Sequence, residues 1–262
     1  MKKVISLLLV SVMSLLLAGC GNNNSGKLVC GITDFEPMNY RDGSGKWTGF
    51  DTEFALLVGE KIGMEVVFQE IEWSQKYNEL ESGSITCIWN GFTGNSVENG
   101  TPRNQLVDMS YSYLLNQQCL VVKADRVSEF DSIESLVGKT VAAEKGSAGE
   151  AEARGLVGDG ATIIESAAQI NTFVEVKSGA VDFAVVDVLL AEQIAGRGDY
   201  SDLVIADITL DTEVYAIGFK KGNDLRDKVN TAMKELYDEG KLMELAVKYG
   251  LENSLKLDTS FR

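Results

Sequence analysis

The chain has 262 residues, of which 45% are hydrophobic and 24% are charged, and this composition is typical of a soluble globular protein. Its formal net charge of −15 at pH 7 argues against nucleic acid as a partner, because phosphates would repel an acidic surface. The absence of histidine excludes Ser-His-Asp and Cys-His catalysis and HExxH zinc sites. Since there is no CxxC motif either, we expect no metal and no cofactor.

Residues 1–19 are predicted to be a signal peptide. Two lysines precede an apolar run over 4–17, and small residues then lead to a cysteine. The sequence Leu17-Ala18-Gly19-Cys20 resembles the bacterial lipobox, in which the cysteine is lipidated. We therefore expect an extracytoplasmic protein that lipidated Cys20 anchors to the outer face of the cell membrane, and a plain secretory signal is the alternative. Residues 20–26 are polar and are interpreted as a flexible tether.

Three further cysteines, Cys30, Cys87 and Cys119, lie in apolar, strand-like runs. Buried structural thiols are the favoured interpretation. A disulfide between Cys30 and Cys87 stays open, because an extracytoplasmic compartment is oxidising.

Strands and helices are predicted to alternate along the chain. The first part is predicted as strand 27–32, helix 51–62 with Asp51 as N-cap, strand 65–69, a helix from Ser74 to Gly83, and strand 85–89. An extended segment over 114–123 follows. The second part is predicted as strand 139–143, helix 147–154, strand 161–165, helix 167–178 and strand 183–186, then strand 213–220 and helices 225–239 and 241–249. This alternation favours α/β layers with largely parallel sheets.

Four short motifs resemble the periplasmic amino-acid-binding proteins of ABC transporters, solute-binding protein family 3, whose type II fold is shared with glutamate-receptor ligand cores. The motifs are Thr48-Gly49-Phe50-Asp51, Leu80-Glu81-Ser82-Gly83, the run 137–141 before Gly146-Ser147, and the run 181–187. The resemblance covers about residues 27–249. It implies two α/β lobes joined by two hinge strands, with lobe one over 27–116 plus 214–262 and lobe two over 117–213.

The resemblance also implies a ligand site in the cleft between the lobes. Arg103 would hold the α-carboxylate of a free amino acid with its planar fork, and Thr93 would add a hydroxyl. The backbone amides of Ser147 and Ala148, at a helix start, would meet the same carboxylate. Asp187 would accept from the α-ammonium, together with the Asn90 side chain or the Gly91 carbonyl. Because only closure of the cleft brings all of these positions together, ligand binding would favour the closed form.

Three further positions are expected to touch the ligand's side chain. Phe35 and Phe50 match sites whose aromatic rings sandwich that side chain, and Glu144 lies where the family varies its pocket lining. A carboxylate at 144 favours a cationic ligand, whereas Ile32 stands where basic-amino-acid binders often have aspartate. The charge of the ligand therefore stays open.

Two of these roles have alternatives that involve no ligand. Arg103 could be a solvated surface residue, because the interval from Thr93 contains the segment 94–100, about five residues longer than the family usually shows. Asp187 could serve as a helix N-cap. Trp73 and Trp89 could line the cleft or pack in the core, and packing is favoured.

The function that follows is the substrate-binding component of an amino-acid ABC transporter, which closes on a free L-amino acid and delivers it to the membrane permease. We expect a monomer without catalytic residues. A cyclohexadienyl-dehydratase-like enzyme on the same fold is the runner-up, since such enzymes keep the carboxylate-binding arginine. A ligand-sensing domain is a third interpretation.

Overall fold

A computed structural model of the protein describes residues 26–158 and 160–261. Within these residues the helices are α1 (Phe50–Ile62), α2 (Lys76–Ser82), α3 (Arg103–Leu106), α4 (Ala148–Val157), α5 (Gln169–Ser178), α6 (Val188–Ile194), α7 (Leu225–Asp238) and α8 (Lys241–Tyr249). The strands are β1 (Lys27–Ile32), β2 (Tyr40–Arg41), β3 (Trp47–Thr48), β4 (Glu65–Glu70), β5 (Cys87–Ile88), β6 (Val97–Glu98), β7 (Thr101–Pro102), β8 (Asp108–Met109), β9 (Ser112–Lys123), β10 (Val141–Glu144), β11 (Ile163–Ser166), β12 (Phe183–Asp187), β13 (Leu203–Ile205), β14 (Thr212–Tyr215), β15 (Gly218–Phe219) and β16 (Leu255–Asp258). The signal-peptide prediction and Cys20 lie outside the described residues.

Two mixed sheets organise the molecule, and the predicted α/β class is confirmed. The first sheet has the strand order β4-β1-β5-β15-β8, in which β4, β1 and β5 are parallel and β15 is antiparallel to both of its neighbours, β5 and β8. The second has the order β11-β10-β12-β9-β13, with β11, β10 and β12 parallel. We call the parts built on these sheets the first and second lobes.

The twelve-residue strand β9 connects the two lobes. Its first half pairs with β14 and β16, and its second half pairs with β12 and β13. The chain therefore passes between the lobes in β9 and returns in β14, as two antiparallel neighbours. The residue boundaries predicted for the lobes stay a prediction.

Helix α1 begins with glycine for a steric reason. Gly49 is its N-cap at φ 114°, and a Cβ there would lie 2.3 Å from the Met38 carbonyl oxygen. The prediction that Asp51 caps this helix is wrong. Asp51 lies inside the first turn, fully buried, where its carboxylate accepts from the Gly91 amide at 2.7 Å and from the Tyr113 hydroxyl at 2.8 Å.

Two other predicted elements differ in detail. The segment from Ser74 begins as a 3-10 helix, Trp73–Gln75, before α2 starts at Lys76. The predicted strand 213–220 is divided into β14 and β15, because its first residues pair with β9 and its last with β5 and β8.

The cysteines are buried free thiols among the described residues, as the favoured interpretation expects. Cys30 and Cys87 are register partners on β1 and β5, with their Sγ atoms 3.8 Å apart. Burial and the neighbouring Cys87 raise the pKa of the Cys30 thiol well above its usual value, which leaves it protonated and unreactive. Over the part of the chain described, no helix has the length and apolarity that crossing a membrane requires.

Candidate functional site

A small cavity lies between the two lobes. It forms where parallel strands from both sheets end. Thr33, Asp34 and Phe35 follow β1, Asn90 and Gly91 follow β5, and Glu144 and Asp187 are the last residues of β10 and β12. Crevices outside the carboxyl ends of such strands are the usual ligand sites of open α/β sheets. The rest of the lining comprises Trp73, Thr93, Arg103, Ser147, Ala148 and Gln169.

Nine of the ten residues predicted for the site line this cavity. The exception is Phe50, and its position corrects the prediction that its ring contacts the ligand side chain. Phe50 is fully buried at the start of α1, where its ring lies 6.2 Å from that of Tyr113 and 6.0 Å from that of Phe54. Its side chain therefore packs in the aromatic core with Phe54 and Tyr113.

Arg103 is buried in the cleft, with 1% of its surface exposed, so the surface interpretation is wrong. Its Nη1 donates to the Thr93 carbonyl and its Nη2 to the Gly146 carbonyl, both at 3.1 Å. The guanidinium lies 4.7 Å from the Phe92 ring centroid. Segment 94–100 contributes to the hairpin β6–β7, which leads directly into α3 and so places Arg103 at the cavity.

The start of α4 forms part of the opposite wall. Gly146 has φ +74°, and Ser147 caps the helix by accepting from the Glu150 amide at 3.0 Å. The Ser147 amide donates to the Glu144 carbonyl at 3.1 Å. The Ser147 amide is therefore engaged within its own turn, while Ala148 is the first helical residue at the cavity.

Asp187 accepts several hydrogen bonds from other side chains of the protein. Asn116, Gln118 and the Tyr215 hydroxyl donate to its Oδ1 at 2.5, 3.1 and 2.7 Å, and Gln169 donates to its Oδ2. Although Asp187 stands at the N-cap position of α6, its side chain makes no capping bond. Burial raises the pKa of this carboxyl, whereas the four donors lower it.

Glu144 is a buried carboxylate that lacks a partner for one oxygen. Its side chain is 4% exposed, and within the described residues Oε1 has no hydrogen-bond donor. Burial and the repulsion of Asp187 raise its pKa to about 8. A buried ionised carboxylate is costly unless it is paired, so this oxygen is available to a donor that enters the cavity.

Several polar residues at the site were missed by the sequence reasoning. Asp34 and Gln169 line the cavity, and Glu213 on β14 shares the donors Asn116 and Gln118 with Asp187. Asp34 could have been found, because it directly precedes Phe35 after a predicted strand. Gln169 and Glu213 carry no comparable signal.

The two tryptophans have different positions. Trp73 lines the cavity, whereas Trp89 is fully buried with its ring 5.1 Å from that of Phe54. Packing is therefore confirmed for Trp89, whereas Trp73 lines the cavity and also packs in the core, with its ring 6.1 Å from that of Phe92. No group of three or more metal-ligating side chains occurs in residues 26–158 and 160–261.

Residues 28–252 match the bacterial extracellular solute-binding proteins, family 3, and the chain belongs to this family. The "Arginine-binding extracellular protein ArtP" of Bacillus subtilis is 32% identical over 259 residues, which are 95% of this chain and 98% of ArtP. A solved structure of a mutant of ArgBP from T. maritima has a TM-score of 0.78 and 29% identity, covering 87% of this chain and 96% of that one. A substrate-binding protein of an ABC uptake transporter from Streptococcus pneumoniae, solved with bound histidine, has a TM-score of 0.77 and 29% identity over 89% and 96% of the chains. The protein is thus an extracytoplasmic solute-binding protein of the two-lobed type II fold.

Proposed function

We propose that this protein binds a free L-amino acid with a cationic side chain in the cleft and delivers it to the permease of an ABC transporter. The family supports solute binding for a transporter. Two of the similar proteins above point to an amino-acid ligand, since one is named for arginine and another was solved with histidine.

The proposed carboxylate subsite consists of Arg103, Thr93 and the start of α4. A buried guanidinium suits two carboxylate oxygens at once, and a helix N-terminus attracts anions. Because the Ser147 amide already donates to Glu144, we assign the helix contribution to Ala148. The proposed ammonium subsite is Asp187, with Asn90 and Gly91 beside it.

The main observation that supports a cationic side chain is that Oε1 of Glu144 has no hydrogen-bond partner within the described part of the chain. A neutral side chain would leave this buried oxygen without compensation, whereas a guanidinium or ammonium group supplies donors and opposite charge. Asp34 adds a second carboxylate to the lining. Phe35 would contact the apolar stem of such a side chain, as the sequence predicts.

The test compares arginine with citrulline, which has the same length but a neutral end group. Calorimetric titration should show that the wild-type protein prefers arginine, and that Glu144→Gln loses most of this preference while still binding citrulline. Equal affinities of the wild-type protein for both compounds would contradict the cationic assignment. Binding of neither compound, nor of any other amino acid, would contradict amino-acid binding itself.

The dehydratase alternative makes a different prediction. A dehydratase would release water from a cyclic carboxylic acid, and chromatographic analysis of such acids after incubation would detect it.

We further propose that the protein is a monomer anchored through Cys20, with lobe boundaries at 27–116 plus 214–262 and at 117–213. The motif at the end of the signal peptide supports the anchor, and the two crossings in β9 and β14 support the lobe boundaries.

A further inference from the structure

The hairpin β6–β7 places the carboxylate of Glu98 next to two cationic side chains, Lys76 and Arg103. Its Oε1 accepts from the Lys76 Nζ at 2.9 Å, and its Oε2 accepts from the Tyr77 hydroxyl at 2.8 Å. The same Oε2 lies 3.3 Å from Nε of Arg103, an ion pair that is not aligned as a hydrogen bond. Glu98 therefore holds two cations and a phenol in one cluster.

This cluster reaches across the cleft to a single atom of the second lobe. The Gly146 carbonyl accepts from Lys76 Nζ at 2.8 Å and from Nη2 of Arg103 at 3.1 Å. Gly146 immediately precedes the helix start that we assign to the ligand carboxylate. The two cations consequently meet at the Gly146 carbonyl, beside this helix start, and Arg103 also lines the cavity.

The two buried positive charges of Lys76 and Arg103 require an anion beside them. The Lys76 side chain is fully buried and that of Arg103 is 1% exposed, so two like charges share a desolvated region. Burial and the repulsion of Arg103 lower the pKa of Lys76 to about 8, whereas Glu98 raises it. Without Glu98, Lys76 would lose its proton more readily or the two side chains would separate.

We propose that Glu98 is a positioning residue of the binding site, which holds Lys76 and Arg103 side by side so that a preset cation pair receives the ligand's carboxylate. This inference rests on the carboxylate role proposed for Arg103. It also gives a function to segment 94–100, which is longer than the family usually shows, since that segment contains Glu98.

The first experiment measures binding of arginine and of argininamide, which lacks the carboxylate, to wild-type protein and to Glu98→Gln. We expect the variant to lose about tenfold or more in affinity for arginine and little for argininamide, because only the carboxylate needs the cation pair. Equal losses for both ligands would indicate a merely structural role and overturn the proposal. Unchanged or tighter arginine binding would also overturn it, because Glu98 would then compete with the ligand for Arg103.

A matched control and a second variant sharpen the result. Asn99→Gly changes the exposed tip of the same hairpin, and it should leave the preference for arginine over argininamide unchanged. In Lys76→Met the repelling cation is gone, so adding Glu98→Gln should cost less than it does alone. Additive losses would contradict the cation-pair explanation.

A third measurement needs no ligand and stays informative if arginine does not bind. Nuclear magnetic resonance titration of the Lys76 side chain should show a lower pKa in Glu98→Gln than in the wild-type protein. An unchanged pKa would overturn the positioning role. A lowered pKa in a protein that binds no amino acid would instead contradict the proposed function alone.

Discussion

The Tyr215 hydroxyl donates a hydrogen bond of 2.7 Å to Oδ1 of Asp187. Tyr215 is the last residue of β14, on the returning crossing, and Asp187 ends β12 in the second sheet. This bond joins the crossing to the carboxylate at the cavity, and two amides on β9 add their donors to the same oxygen. Donors from the protein itself thus hold Asp187 in one orientation, which reduces the ordering cost of binding.

Replacing Asp187 by asparagine should weaken binding of the amino acid by about thirtyfold or more. Removal of one member of a buried charge pair costs about 2–5 kcal/mol, because the α-ammonium is left without its counter-charge. Tyr215→Phe removes only one donor and should cost less. Isothermal titration calorimetry of both variants should show the smaller loss of affinity for Tyr215→Phe. An analogue without the α-amino group should bind the wild-type protein weakly, and binding as tight as that of the amino acid would reject the role of Asp187.

Replacing Arg103 by alanine should reduce affinity by a similar factor, since the ligand carboxylate would lose a charge-assisted contact with two donors. Arg103→Lys keeps the charge but loses the planar fork, so its affinity should lie between those of Arg103→Ala and the wild-type protein. Arg126→Ala is the control, because Arg126 pairs with Glu129 and Asp182 in the second lobe, outside the cavity lining. Normal binding by Arg103→Ala would move the carboxylate subsite to the start of α4.

Glu144 should make the ligand-free protein less stable as the pH rises. Burial, with the repulsion of Asp187, raises its pKa to about 8 from the usual 4.5, so the folded protein keeps a proton that the unfolded chain releases. The stability that this proton contributes is present below about pH 4.5 and is lost as the pH rises to about 8. Glu144→Gln lacks this loss, and its melting temperature should exceed that of the wild-type protein increasingly between pH 5 and 8.

Melting curves at several pH values, with the exposed substitution Glu134→Gln as control, check this dependence. The affinity of the wild-type protein for arginine should rise towards pH 8, because the ionised carboxylate is the form that pairs with a cation. The rise should be much smaller in Glu144→Gln. A melting temperature of Glu144→Gln that follows the wild-type curve would exclude Glu144 as the titrating group.

Cys20→Ala should release the mature protein from the membrane. Cells that express the full-length chain with a labelled fatty acid should incorporate label into the wild-type protein and not into the variant. Cys119→Ala is the control, because that thiol is buried inside the second sheet. Mass spectrometry that finds an unmodified Cys20 in mature protein from the membrane fraction would contradict the anchor.

The sequence predicted the strands and helices well where their pattern is local. The bounds of β1 and α8 agree with prediction, because a buried apolar run and a glycine-bounded amphipathic pattern define them without outside help. The split of the predicted strand 213–220 depends on which partner strands its two halves meet, and no local pattern contains that information.

The residues around the site were predicted from the resemblance to the family, and nine of them line one cavity in the structure. Phe50 was misplaced because an aromatic ring after a short strand can turn either towards the cleft or towards the core. The contacts of Glu98 were not predictable, because they depend on how a short hairpin folds over Lys76, 22 residues earlier in the chain.

The position of β15 also constrains the order in which the protein can fold. This strand lies between β5 and β8 in the first sheet, yet its residues follow all three parallel strands of the second sheet in the chain. The chain must therefore be synthesised as far as Phe219 before the first sheet can become continuous. By then β10, β11 and β12 have all been synthesised. Folding of domains in their order of synthesis does not apply here, because the lobe whose synthesis starts first is completed last.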